Sequence, residues 1–146
     1  MNQGDTRLVM KRAFQAPVEK VYQAWTTPEL IQQWFAPGDM IVPKAQADVR
    51  EGGLFRITMQ EPNGETHTTY GTYREVVPHQ RLVLTWQWEG ADDETLVTIE
   101  FHAVGERTTE LVLTHEGFAT VQAKEAHSQG WNGCLQKLDG TLAAES

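Results

Sequence analysis

The hydrophobic period changes three times along this chain, first at Ala16-Pro17 after a short opening strand, and those switches restrict the fold more than any single motif. Val18, Val21, Tyr22 and Trp25 recur at i, i+3, i+4 and i+7, one face of a helix. Pro17 suits the first turn of that helix, where its missing N–H costs nothing. Thr27-Pro28 repeats the pattern: Thr27 as cap, Pro28 at the first helical position, and Leu30, Ile31, Trp34 and Phe35 as a second apolar stripe that Pro37-Gly38 ends. From about Ala45 to Glu116 the period becomes two. Phe55, Ile57 and Met59 share a face, as do Leu82, Leu84, Trp86 and Trp88, then Val97, Ile99 and Phe101, then Leu111, Leu113 and His115. The period then returns to helical: Trp131, Leu135, Leu138 and Leu142 form one stripe of a long helix starting near Thr120.

Punctuation fixes the strand boundaries. Glu61-Pro62-Asn63-Gly64 is a turn, because Asn-Gly tolerates positive φ. The next strand is expected over about Thr66 to Val77 and breaks at Pro78; Gly90-Ala91-Asp92-Asp93 and Gly105-Glu106 reverse the chain again. With a first strand over Arg7–Phe14, the order is strand, two short helices, about six antiparallel strands and a long terminal helix. This predicts an α+β domain spanning 1–146, with the last helix lying across one face of a curved sheet.

Composition excludes several functions. Formal charge is 12 − 20 = −8, which repels nucleic acid and an anionic membrane surface alike. No apolar run is long enough to span a bilayer, and the start lacks the basic and apolar segments of a secretory signal. A lone cysteine, Cys134, cannot form an intrachain disulfide, so a cytoplasmic location is expected.

The residues also match a known pattern. Phe14 to Tyr22 with Trp25, and the Pro28…Trp34-Phe35 segment, resemble the START-like (SRPBCC) superfamily. Asp48 to Arg56, Gly71 to Pro78 leading to Leu82 to Trp86, and Gly130 to Leu135 resemble its Hsp90-ATPase-activator-homologue (AHSA1-like) branch; the match spans residues 7 to 142. The resemblance implies a helix-grip fold, in which a bent sheet wraps the terminal helix around a cavity for an apolar ligand. A retained void of roughly 300 Å³ forfeits about 7 kcal/mol, a large share of a typical net stability of about 5–15 kcal/mol.

Chemistry-bearing residues are sparse. Ser128 and Ser146 are the only serines and neither sits in a nucleophile elbow. Cys134 reads as a small buried hydrophobe, and Gly52-Gly53 as a bulge or tight turn into a strand. His67, His79, His102, His115 and His127 lack metal-ligand spacing, so a metal site needs long-range convergence. Asp48 and Arg50, two apart on an expected strand, should brace it by ion pairs to another element, or meet a ligand carboxylate through Arg50. His115 should face the core, either bonded to a backbone carbonyl or an indole N–H, or orienting a ligand.

The expected function is binding of a small apolar or aromatic molecule, with no catalytic residue, cofactor or metal assigned. Trp34, Phe35, Met40, Phe55, Trp86, Trp88, Phe101, Phe118, Trp131 and Leu135 are expected to line the pocket, with His115 orienting the guest. Two alternatives stay open. One is a co-chaperone-like module acting on an Hsp90 ATPase, although full-length activators carry a further N-terminal domain for which 146 residues leave no room. The other is a cyclase or hydrolase using His115. A homodimer and a chaperone partner are both compatible with the sequence.

Overall fold

A computed structural model describes residues 7–145 of the chain. The elements are β1 (Arg7–Phe14), α1 (Val18–Thr26), α2 (Pro28–Trp34), β2 (Ile41–Ala47), β3 (Leu54–Gln60), β4 (Thr66–Val77), β5 (Arg81–Trp88), β6 (Glu94–Gly105), β7 (Thr108–Glu116) and α3 (Val121–Glu145). The two proline-led stripes become helices as expected, with Pro17 standing at the cap of α1, one position before the first turn. Thr27 precedes Pro28 of α2, but its side chain makes no capping bond. What stitches the two helices together is the Trp34 indole, donating to the Ala24 carbonyl at 3.0 Å.

The strands form one antiparallel sheet in the order β1-β7-β6-β5-β4-β3-β2. Every sequential pair from β2 to β7 is a hairpin neighbour, as short turns require. The first strand joins the far side of β7, with Arg7 opposite Glu116. The two short helices therefore carry the chain from one edge of the sheet to the other. Gly64 takes φ 93° in the β3–β4 turn. At Gly53 a Cβ would lie 2.0 Å from the Asp48 carbonyl oxygen, so the Gly52-Gly53 pair is a tight turn into β3.

The sheet curves around α3, the helix-grip arrangement of an α+β fold. Alternation decides the inner face: Leu111, Leu113 and His115 of β7 and Val97, Ile99 and Phe101 of β6 are buried. α3 answers with Trp131, Leu135, Leu138 and Leu142, also buried. Full burial of such side chains stabilises by about 1.5–3 kcal/mol each. The helix is anchored unevenly, because none of Val121–Gly130 is fully buried while five positions from Trp131 to Leu142 are. Its first half overhangs the sheet.

Two expectations are corrected. Asp48 and Arg50 lie in the β2–β3 connection and pair with each other, Nε to Oδ2 at 2.8 Å, on the surface. They brace no strand against α3. The period-two region also begins earlier than Ala45, at Ile41; Pro43 and a register shift between Ile41 and Lys44 mask the alternation of this edge strand.

Candidate functional site

Beneath the overhang lies a cavity of about 490 Å³. Phe35, Pro37 and Met40 close it from the α2–β2 connection; Met59 and Glu61 come from the β3 side, His67 from β4, and Trp86 and Trp88 from β5. Ala126, His127, Gly130, Trp131 and Cys134 complete it, one face of α3 at i, i+1, i+4, i+5 and i+8. The size suits a small organic molecule.

An aromatic cluster forms the largest part of the wall's side-chain bulk. Trp86 packs on Trp131 at 5.1 Å between ring centroids, on Trp88 edge to face at 5.7 Å, and on Phe35 at 6.0 Å. Phe35 meets Trp131 at 5.6 Å. Two histidines tie this cluster together. The Trp131 indole N–H donates to His115 Nδ1 at 3.0 Å, so Nδ1 carries no proton, and Nε2–H donates to Thr95 Oγ1 at 2.6 Å. Thr95 Oγ1 in turn donates to the Trp86 carbonyl at 3.2 Å. At His127, Nε2 accepts from the Trp88 indole at 2.9 Å and Nδ1–H donates to the Ala123 carbonyl at 2.8 Å. Both rings are locked as opposite neutral tautomers. Burial, with His127 nearby, holds His115 down to about 3, and burial also lowers His127. The Cys134 thiol is pushed up to about 12 by burial, only partly offset by Lys137, so it stays protonated and weakly nucleophilic.

Of the residues expected to line a pocket, Phe35, Met40, Trp86, Trp88 and Trp131 do. Phe55 instead borders a separate interior void of about 20 Å³. Trp34 and Leu135 are buried off the cavity wall, Phe101 packs edge-on against Tyr22, and Phe118 packs on His115 at 4.4 Å. His115 sits behind Trp131 rather than on the wall, with both ring nitrogens engaged. Its partner is an indole N–H, one of the two states considered for it.

The remaining wall residues escaped the sequence reading. Ala126, His127, Gly130 and Cys134 are legible in retrospect as the helical neighbours of Trp131. His67 is paired opposite Met59 across the β3–β4 hairpin. Its Nε2 lies 2.6 Å from Glu61 Oε2, and Glu61, Glu65 and His67 bring ligand atoms within 4.8 Å of one another. Convergence of potential ligand groups is thus local to one hairpin, not long-range. The three glycines of α3 differ: a Cβ at Gly133 would meet Pro37 Cβ at 2.8 Å, whereas one at Gly130 on the cavity wall, or at the exposed Gly140 away from it, meets nothing within 4 Å.

Residues 15–143 match the family model described as Activator of Hsp90 ATPase homolog 1-like protein. The chain belongs to the Activator of Hsp90 ATPase homolog 1-like family. Solved structures agree with this fold. A protein from Rhodobacter sphaeroides is 28% identical with a TM-score of 0.86, the match covering 97% of this chain and 95% of that one. One from Nitrosomonas europaea is 25% identical with a TM-score of 0.84, covering 99% and 98%. The AHSA1 protein from Silicibacter pomeroyi is 26% identical with a TM-score of 0.83, covering 96% and 99%. Comparison with curated protein sequences gave no match. Among the described residues, no helix of this family member is long and apolar enough to cross a membrane.

Proposed function

We propose that this member of the Activator of Hsp90 ATPase homolog 1-like family binds a small apolar or aromatic molecule in the cavity under α3. The observation that carries the reading is Gly130. Glycine inside a helix costs about 1 kcal/mol relative to alanine, and here no neighbour demands it, since a Cβ would stand in open space. At Gly133 the Pro37 ring and Cα give a packing reason; at Gly130 the consequence of having no side chain is the space itself. Ligand burial would contribute about 25 cal/mol per Å² of apolar surface, less the cost of ordering the guest. A free, buried Cys134 is compatible with the cytoplasmic location we infer for this protein.

Trp86, Trp88 and Trp131, three of the five tryptophans, line the cavity, so intrinsic fluorescence is the direct assay. Titration with fatty amines, flavonoids and polyketide-like aromatics should quench or shift the emission. Native mass spectrometry of freshly purified protein should show a bound small molecule and the subunit count together. No response across a broad panel, with no retained ligand, refutes the reading.

Family membership favours a second reading, a co-chaperone-like module that modulates an Hsp90 ATPase. Pull-down against the host chaperone, with ATPase rates at several salt concentrations, separates the two. A turnover role through His115 is disfavoured because both of its ring nitrogens are committed to structural bonds.

A further inference from the structure

The cavity's polar groups are distributed unevenly, and that distribution specifies the shape and charge of a guest. In the wall, the Trp88 and Trp131 indoles donate to His127 and His115, and both nitrogens of His127 are used. The Trp86 indole N–H has no partner but is buried, presenting almost no surface to a guest, and the Cys134 thiol is held neutral. No side-chain donor or acceptor of strength remains for a polar atom in the body of a guest, and a buried polar group without a partner is disfavoured. Free polarity is confined to one side of the mouth. In the β3–β4 hairpin, Met59 is opposite His67 and the Glu61 N–H donates to the Glu65 carbonyl at 2.8 Å. Strand alternation therefore sends Glu61 to the same face as Met59, where it meets His67. Glu65 lies close enough to complete the group. Glu61 holds the imidazole and Glu65 stands beside it, two carboxylates to one ring, so the cluster is negative in either protonation state of His67. Among the described residues no lysine or arginine lines the cavity, and Lys137 donates instead to the Met40 carbonyl at 3.1 Å. The chain's net charge of −8 adds a field of the same sign.

We infer that the guest is an amphiphile with a cationic head: an apolar body, free of hydrogen-bonding groups, fills the cavity, and an ammonium group sits at Glu61 and Glu65 at its mouth. This rests on the binding reading proposed above and adds the class of ligand. An ammonium also relieves the repulsion between two carboxylates held across one turn. A fatty acid of the same length brings a third negative charge to the same place.

The test uses three probes with one tail, n-decyltrimethylammonium, n-decanol and n-decanoate, titrated below micelle formation and read by tryptophan fluorescence and calorimetry. The ammonium should bind tightest and the carboxylate weakest, with about tenfold or more between them at low salt, a gap that narrows as salt is raised. The E61Q/E65Q double variant lies on a partly exposed hairpin, so the fold should persist. It should bring the three affinities within about threefold while leaving n-decanol unchanged, because the alcohol senses only the walls. A decyl chain interrupted midway by an amide should bind at least about tenfold more weakly than n-decanol. Decanoate binding as tightly as the ammonium overturns the cationic head and leaves the binding reading standing. Failure of all three probes overturns both.

Discussion

Gly130 and Gly133 are three residues apart on one helix, and alanine at each should change stability in opposite directions. At Gly130 the new methyl meets no atom within 4 Å, so the full gain in helix propensity, about 0.8–1.0 kcal/mol, should appear. For a chain of 146 residues that corresponds to a rise in Tm of roughly 3 °C. At Gly133 the same propensity gain is opposed by contact with Pro37, Cβ at 2.8 Å and Cα at 3.3 Å, part of a connection pinned between α2 and β2. Overpacking of this kind costs about 1–3 kcal/mol, so the net change should be a loss. Urea unfolding of both variants alongside wild type, read by far-UV circular dichroism, measures the pair. A third variant extends the series: Gly130→Phe should fill the cavity and abolish binding of the decyl probes while the protein stays folded. If Gly130→Ala is destabilising by 1 kcal/mol or more, the space beside it is not open in solution, and the argument from Gly130 to a maintained cavity fails.

Other outcomes follow from the two histidines and the surface. Because burial holds His115 near 3, well below its unfolded value of about 6.5, the unfolded chain binds the extra proton; stability from this group is complete above pH 6.5 and falls as pH drops toward 3. The loss should reach about 2 kcal/mol at pH 5, and His115→Gln should flatten that part of the profile in denaturant titrations run from pH 7.5 to 5. An undiminished slope in the variant would remove His115 as its source. His127→Ala cuts the Trp88–His127 bond between β5 and the overhanging half of α3; amide exchange should speed up across Val121–Gly130 and stay slow from Trp131 onward, at a global cost of about 1 kcal/mol. Arg12→Ala removes the partly exposed pair with Asp139 at 2.7 Å and should change stability by less than about 1 kcal/mol in the same unfolding assay.

Most of the architecture was legible because its signals are local. β4 runs from Thr66 to Val77 as expected, since Asn63-Gly64 and Pro78 leave little choice of where pairing starts and stops. The α3 stripe of Trp131, Leu135, Leu138 and Leu142 is buried for the same reason that it is periodic. β2 was only half visible, because Pro43 and a bulge interrupt an edge strand that needs no regular alternation. The cavity was harder to read. Bulky aromatics read as cavity lining in the sequence, yet some of them, Trp34 and Phe101 among them, serve the solid core instead. Its open volume owes as much to small residues, Pro37, Ala126, Gly130 and Cys134, as to large ones. Counting hydrophobic side chains records what fills space and is silent on where space is left. His127 was missed as a wall residue because its role depends on which indole faces it across the sheet, a fact of tertiary geometry.

The pairing of β1 with β7 has a consequence for how this protein comes off the ribosome. Residues 7–14 are synthesised well before their partners, which span Thr109–Glu116 and lie beyond five intervening strands. Such distant pairing slows folding, and until β7 emerges the nascent chain must keep β1 idle while the hairpins behind it assemble. A stalled product ending before β7 would display bare edges at both β1 and β6. Such products should be the species most prone to clumping and the first taken up by the cell's holding machinery.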